Sequence, residues 1–355
     1  MNAAYNPNQA RNARIRQGLA APAFLCAIVL ALPLAGGEGD ANATAACGMR
    51  AQDRVWLAST RHLGCVNGSS GPALWRWNAA QWQASDQQEF LDQNEELPHT
   101  VIYIHGNRVG DDEGASGGLA VYQQIVASHA DEKPVRFVIW SWPSTKICGP
   151  IKDVRSKAWR SDDEAVMLAR FLDGIHKPEA PAEENSDFAT FAASAPKRDR
   201  SDREDYRVGF VAFSYGARIT GGALQMLGGG NLDGHTLPRR QRPQFRVALW
   251  APAAHNDWLL PHSRHGKALP LADKWLSTTN RCDESLWRYE RLEKCGNPPA
   301  LGFAGFTGRG QLPAELQNRW EEWEVSNLVG STHNYHPYMH SPWIAEQTAR
   351  CVLWK

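Results

Sequence analysis

Short runs of apolar residues, rich in β-branched and aromatic side chains, recur along the chain and predict buried β-strands. Each run stops abruptly at a glycine, a proline or a polar residue. The runs are apolar on both faces, which is typical of parallel strands covered by helices on both sides. The predicted strands are residues 54–59, 100–104, 135–141, 206–213, 245–250 and 322–329.

Between these strands the apolar spacing changes to that of helices. Residues 161–174 carry an apolar stripe behind an acidic first turn, which complements the helix dipole. A second helix is predicted at 217–227, and Ser341 with Pro342 can cap and start a final one. Strands that alternate with helices indicate an α/β fold with a mostly parallel sheet, in one domain over residues 47–355.

Two stretches interrupt this alternation. Residues 81–97 are polar and rich in glutamine and aspartate, and they separate the first predicted strand from the second. Residues 176–204 are rich in proline, alanine and charge, and they predict an excursion loop. That loop is either a mobile flap beside a site or a solvated insertion.

Residues 1–46 have the order of a secretory signal peptide. Three arginines precede an apolar run over 19–34, and an A-x-A pattern follows from Ala41. Because the apolar run is near the length that crosses a bilayer, an uncleaved membrane anchor is the alternative. In either case the positive-inside rule places the remaining chain outside the cytoplasm, as a periplasmic or secreted protein.

The cysteines also favour an oxidising compartment. The chain has seven, and loss of Cys26 with the leader leaves six, an even number that predicts three disulfides. The predicted pairs are Cys47–Cys65, Cys282–Cys295 and Cys148–Cys351. No CxxC spacing occurs, so neither a zinc site nor a redox motif is expected. With 38 basic and 38 acidic residues, the chain lacks the basic excess of a nucleic-acid-binding protein.

A candidate nucleophile lies between the strand at 206–213 and the helix that follows it. The segment Ala212-Phe-Ser214-Tyr-Gly216 resembles the G-x-S-x-G turn, with alanine in place of the first glycine. Such a turn is tight, so it requires small residues two places before and after the serine. The alternative is a serine that merely caps a buried helix.

A second pattern, His105-Gly106-Asn107, ends an earlier predicted strand. Attack of a serine on an ester carbonyl creates an oxyanion, which needs N–H donors held in place. The expected donors are the backbone N–H groups of Tyr215 and Asn107. The alternative is an ordinary tight turn at His105-Gly106.

Together these motifs resemble the α/β-hydrolase superfamily, and more narrowly a little-characterised bacterial branch with an H-G-[FYN] loop and a late G-x-x-H. The segments that carry the resemblance begin at Val101, Trp140 and Val211, with a late histidine loop after Gly330. The resemblance implies a sheet of about eight strands, with helices on both faces. It also implies the chain order nucleophile, acid, histidine.

The late loop Gly330-Ser-Thr-His-Asn-Tyr-His-Pro-Tyr-Met-His340 supplies the candidate general base. His333 matches the G-x-x-H of the family, and His336 is the alternative, with His340 behind it. A metal site formed by these three histidines is a rival hypothesis, disfavoured by the absence of H-E-x-x-H and by Pro337.

Two aspartates are candidates for the acid that orients the histidine. Asp283 follows a late strand, where the family places its acid, and Asp257 follows an earlier one. We therefore expect an exported serine hydrolase that cleaves a small-molecule or lipid carboxylic ester through Ser214, His333 and Asp283, without a cofactor. A non-catalytic extracytoplasmic binding protein with the same fold is the alternative.

Overall fold

The computed structural model describes residues 48–64, 71–78, 80–92, 99–175, 206–238, 242–293 and 297–354. The leader at 1–46 and the excursion at 176–204 lie outside these ranges. Both therefore remain predictions, as does the placement of the domain boundary at residue 47.

The described residues form a nine-stranded sheet in the order β3-β2-β1-β5-β4-β6-β7-β8-β9. Strands β1 and β4 to β9 pair in parallel, whereas β2 and β3 form an antiparallel hairpin at one edge. The strands are β1 Arg54–Ser59, β2 Ala73–Asn78, β3 Gln81–Ser85, β4 His99–Ile104, β5 Arg136–Ser141, β6 Arg207–Phe213, β7 Gln244–Trp250, β8 Lys274–Thr279 and β9 Trp320–Glu324.

The helices lie in the connections between strands. They are α1 Gln87–Asp92, α2 Asp111–Val121, α3 Pro150–Ile175, α4 Tyr215–Leu227, α5 Ala268–Leu271, α6 Glu284–Trp287, α7 Tyr289–Glu293, α8 Leu301–Ala304, α9 Ala314–Arg319, α10 Ser326–Val329, α11 Tyr335–His340 and α12 Pro342–Val352. A π-helical segment Tyr122–Ala127 extends α2, and Arg309–Gln311 is a 3-10 turn. Among the described residues, no helix combines the length and the apolar character needed to cross a bilayer.

Helices cover both faces of the sheet. Neighbouring strand residues point to opposite faces, and on β5 the side chain of Ile139 lies against Gly118 of α2. The ring of Trp140, the next residue, packs on Phe171 of α3, with the ring centroids 5.5 Å apart. The α/β fold with a mostly parallel sheet and helices on both faces is thus confirmed.

The sequence missed the hairpin of β2 and β3 and misjudged the last strand. The hairpin is half exposed and polar between its tryptophans, so it lacks the continuous apolar run that marked the buried strands. The prediction of a strand over 322–329 is wrong in its second half, because the strand ends at Glu324 and Ser326–Val329 is helical. The helix predicted over 161–174 is part of the longer α3.

The described cysteines do not form the predicted disulfides. Cys148 is exposed and Cys351 is buried, and both are free thiols, so the predicted bond between them is wrong. The Cys351 thiol, in α12, donates to the carbonyl of Val247 in β7 at 3.5 Å. Cys282 is also an exposed free thiol, so its predicted bond to Cys295 is wrong as well. The remaining pair, Cys47–Cys65, lies outside the described ranges.

Candidate active site

Ser214 occupies a sharp turn between β6 and α4. Its backbone has φ 55° and ψ −118°, a conformation that costs energy for any residue with a Cβ atom. Gly216 lies against the end of β4, where a Cβ atom would come within 2.3 Å of the carbonyl oxygen of Ile104. The alanine at 212 is fully buried in β6, so the extra methyl group is accommodated.

His333, in the loop before α11, brings its ring to this serine. The Nε2 atom is 2.8 Å from the Ser214 hydroxyl, and the Nδ1 atom is 2.7 Å from a carboxylate oxygen of Asp283. The ring of Phe213 packs beside the imidazole, with centroids 5.1 Å apart. The hydroxyl, the imidazole and the carboxylate therefore form a hydrogen-bonded chain, in which the imidazole can take the serine proton.

Asp283 follows β8 and is fully buried. One of its carboxylate oxygens, Oδ2, contacts His333, and the other, Oδ1, caps helix α6 by accepting the backbone N–H groups of Ser285 and Leu286, each at 2.9 Å. Aspartate is a favoured N-cap residue because its side chain reaches these N–H groups. The cap holds the carboxylate in place beside the imidazole.

The loop after β4 passes directly against the serine turn. A Cβ atom at Gly106 would lie 2.9 Å from the Cβ atom of Ser214 and 2.8 Å from the Phe213 ring, so only glycine fits. The next residue, Asn107, lines the same cavity as Ser214 and Tyr215. Within the described part of the chain, no atom accepts from the backbone N–H of Asn107 or of Tyr215.

His105 holds the base of this loop. Its ring is buried and stacks on Trp142, whose indole N–H donates to the His105 carbonyl at 2.9 Å. Burial lowers the pKa of His105 to about 3, so the ring is neutral at physiological pH. His105 is a loop-packing residue outside the cavity lining, and the glycine after it is what allows the close approach.

In the described part of the chain, none of the alternative residues bonds to Ser214 or lines the cavity beside it. The carboxylate of Asp257 contacts no histidine in the described ranges, and one of its oxygens is buried without a partner. The rings of His336 and His340 stack on each other, and both residues are exposed. No group of three or more metal-ligating side chains occurs among the described residues.

A cavity of about 270 Å³ opens beside Ser214. The sequence patterns did not predict most of its walls, because these come from many helices, strands and loops that only the fold brings together. Its lining residues are Asn107, Arg108, Val109, Glu113, Val154, Phe213, Ser214, Tyr215, Ala253, Ser285, Leu286, Tyr289, Leu292, His333, Asn334 and Tyr335. The mixture of apolar side chains with a few polar groups is typical of small-molecule sites.

Comparison with known proteins identifies no family for this chain. No protein-family model matches the chain, and no curated protein sequence matches it. Among solved structures it is similar to esterase B from Lactobacillus rhamnosis, whose crystal structure involves a tributyrin phosphonate. The two share 12% identity over 87% of each chain, with a TM-score of 0.36. Likeness at that level carries no argument about activity, so any function has to be inferred from the geometry around Ser214.

Proposed function

We propose that the protein is a serine hydrolase that cleaves carboxylic esters through an acyl-enzyme. The observation that carries this proposal is the continuous contact from the Ser214 hydroxyl through the His333 ring to the Asp283 carboxylate, beside a cavity. A free serine hydroxyl is a poor nucleophile, and a hydrogen-bonded imidazole is the group that activates it.

In the acylation step the Ser214 oxygen attacks the ester carbonyl while His333 Nε2 takes the hydroxyl proton. The carbonyl oxygen becomes an oxyanion, which the backbone N–H groups of Asn107 and Tyr215 bind. The carbon–oxygen bond to the alcohol then breaks, and His333 returns the proton to the departing alcohol. Asp283 stabilises the imidazolium while it exists.

Deacylation repeats these steps with water. His333 takes a proton from a water molecule, the resulting hydroxide attacks the acyl-serine carbonyl, and the same N–H groups bind the second oxyanion. Collapse of this intermediate breaks the bond to the Ser214 oxygen, which recovers its proton from His333. The products are a carboxylic acid and free enzyme.

The cavity favours a small ester as substrate. Its volume of about 270 Å³ lies near the lower end of ligand pockets, which is room for a short acyl or aryl group. Val154, Leu286 and Leu292 supply apolar wall, which suits an acyl chain better than a charged peptide.

The test is labelling with a fluorophosphonate probe, which reacts with activated serines. Wild type should gain the mass of one adduct per chain, and peptide mapping should place it on Ser214. Ser214→Ala should gain none. Ser326→Ala is the matched control, because that serine is also buried but its hydroxyl bonds to Glu324 and to the backbone N–H of Arg281 instead of a histidine, and it should label like wild type.

An unlabelled but correctly folded wild type would refute the proposal and favour the alternative, a binding protein with the same fold. Wild type that has not been treated with the probe should then be examined with p-nitrophenyl esters of increasing acyl length, for which we expect turnover to fall beyond short chains.

We also propose that the protein is exported, as the leader at 1–46 indicates. Expression of the full chain in a bacterial host, followed by fractionation and N-terminal sequencing, should find it outside the cytoplasm with a new terminus near residue 46. Recovery from the membrane fraction with an intact terminus would instead show an uncleaved anchor. A cytoplasmic product would contradict export.

A further inference from the structure

The segment that carries the proposed oxyanion donor contains a strained turn. Arg108 has φ 63°, in the left-handed region, which is unfavourable for a residue with a Cβ atom. Its backbone N–H donates to the carbonyl of Ser144 and to the side-chain oxygen of Asn107, both at 2.8 Å. A conformation of this kind persists only where surrounding contacts hold it.

Asp153, near the start of α3, provides such contacts. Its carboxylate is fully buried, and one oxygen accepts from Arg108 Nε at 2.7 Å and from the Asn107 amide at 3.4 Å. The other oxygen accepts the backbone N–H of Ile147 at 3.1 Å. One carboxylate therefore joins two consecutive residues of the loop to helix α3, although it does not itself line the cavity.

The opposite side of the loop is held separately by Arg61, from the end of β1. Its guanidinium donates to the carbonyls of Val109 and Gly110, both at 3.0 Å. These contacts reach the distal end of the loop, whereas those of Asp153 reach the residues next to Gly106. Asp153 therefore holds Asn107 in place more directly than Arg61 does.

We propose that Asp153 is a positioning residue for ester hydrolysis, acting by holding the Asn107 N–H where the oxyanion forms. This inference rests on the proposed function and deepens it. An oxyanion donor lowers the barrier only if it is fixed before the reaction. Its effect is greater in the transition state than in the bound substrate, so release of the loop should lower kcat and leave KM nearly unchanged.

The test variant is Asp153→Asn, which keeps the size of the side chain and an acceptor for Ile147 but removes the charge that pairs with Arg108. With p-nitrophenyl acetate we expect kcat to fall by about 10- to 100-fold, less than complete loss of an oxyanion donor. We expect KM to stay within roughly threefold of wild type. Hydrogen exchange followed by mass spectrometry should show faster exchange over residues 105–110 and unchanged exchange over 330–336.

Asp173→Asn is the matched control. It breaks another buried aspartate–arginine pair on the same helix, Asp173 with Arg242 at 2.5 Å, far along α3 from the loop. It should lose stability but keep the wild-type kcat and loop exchange. If Asp153→Asn folds too poorly to measure, Arg108→Gln breaks the same ion pair from its half-exposed side and should also speed exchange over 105–110.

Unchanged exchange over 105–110 in the Asp153 variant would overturn the inference, as would faster exchange with wild-type kcat. The same loop changes in Asp173→Asn would overturn it too, by showing a general loss of stability. A wild type without turnover or probe labelling would refute the proposed function instead, and the exchange comparison would still show whether Asp153 holds the loop.

Discussion

At Asp283 one carboxylate serves two neighbours. Oδ1 accepts the N–H groups that begin helix α6, and Oδ2 contacts the Nδ1 atom of His333. The two functions can be separated by substitution, because asparagine can keep its one oxygen on the cap while its NH2 group, which carries no negative charge, faces the imidazole.

We expect Asp283→Asn to lower kcat by about 10³- to 10⁴-fold, because the imidazole loses the anion that fixes its tautomer and stabilises its charged form. Its free energy of unfolding should change little. Asp283→Ala should lose similar activity and a further ~1 kcal/mol of stability from the missing cap. Ester kinetics and urea denaturation of both variants test this; equal stability of the two would contradict the capping role.

Gly106 gives a second prediction at the residue scale. In Gly106→Ala the new methyl group would meet the Ser214 Cβ atom at 2.9 Å, so either the loop or the serine turn must shift. We expect kcat to fall at least tenfold and stability to fall by about 1–3 kcal/mol, as in other overpacked sites. Gly310→Ala, where nothing lies within 4 Å, is the control. Wild-type kinetics in Gly106→Ala would show that the loop approaches the serine less closely.

The sequence could nominate Ser214, His333 and Asp283, because each follows a recognisable local pattern. It could not choose between Asp283 and Asp257 from position alone, since both follow a strand at the same edge of the sheet. What brings Asp283 to the histidine is its capping of α6, a contact that depends on the path of the chain after β8. Asp153 carried no motif, and only the approach of α3 to the loop reveals it.

At the scale of elements, buried strands were easier to predict than edge strands. Strands β4 to β7 are surrounded by other elements and carry continuous apolar runs, whereas the β2–β3 hairpin has partly exposed, polar positions. The end of β9 was missed because the helical turn of α10 continues with residues that also suit a strand, among them Leu328 and Val329.

Three helices meet through one buried guanidinium. Arg218 of α4 pairs with Asp162 of α3 at 2.7 Å and also bonds Glu293 of α7, the helix whose Tyr289 and Leu292 line the cavity. Since the arginine side chain is only 8% exposed, its loss would leave two buried carboxylates with weaker support, Asp162 with Arg264 and Glu293 with His255.

We therefore expect Arg218→Met to lower the free energy of unfolding by about 3–5 kcal/mol. Arg350→Met is the control, because Arg350 pairs with Glu346 at the surface of α12, and its loss should cost under about 0.5 kcal/mol. Urea denaturation measures both. A loss below about 1 kcal/mol in Arg218→Met would mean that Asp162 and Glu293 do not need the arginine to remain buried.

At the scale of the whole molecule, helix α12 packs on the central strands of the sheet. Trp250 of β7 donates its indole N–H to Thr348 of α12, at 3.0 Å. Gly209 of β6 lies so near Val352 that a Cβ atom would come within 2.7 Å of its carbonyl oxygen. His99, at the start of β4, contacts the same carbonyl at 2.9 Å.

The stability of this packing should fall in acid, because of His99. Burial lowers the pKa of His99 to about 4, whereas an unfolded chain would have the ordinary value of 6.5. Between those values only the unfolded chain gains the proton, so stability falls as pH falls through this window. The slope for this one histidine is about 1.4 kcal/mol per pH unit.

Urea denaturation of wild type and His99→Gln at pH 7.5, 6 and 5 measures this contribution. The variant, which keeps an N–H donor for Val352, should lose less stability than wild type as pH falls from 6.5 towards 4. His336→Gln, at an exposed histidine, should follow wild type. Parallel pH profiles for wild type and His99→Gln would mean that water reaches His99 in the folded protein.

The double use of Asp283 has a consequence for how substrate size is sensed. Ser285 and Leu286, in the first turn of α6, form part of the cavity wall. Their backbone N–H groups bond to the same Asp283 carboxylate that contacts His333. An oversized acyl group that presses this wall outward would therefore tilt the aspartate and leave the imidazole misaligned. Bulky esters would be held but turned over slowly, so that discrimination resides in the speed of the chemical step and hardly in affinity.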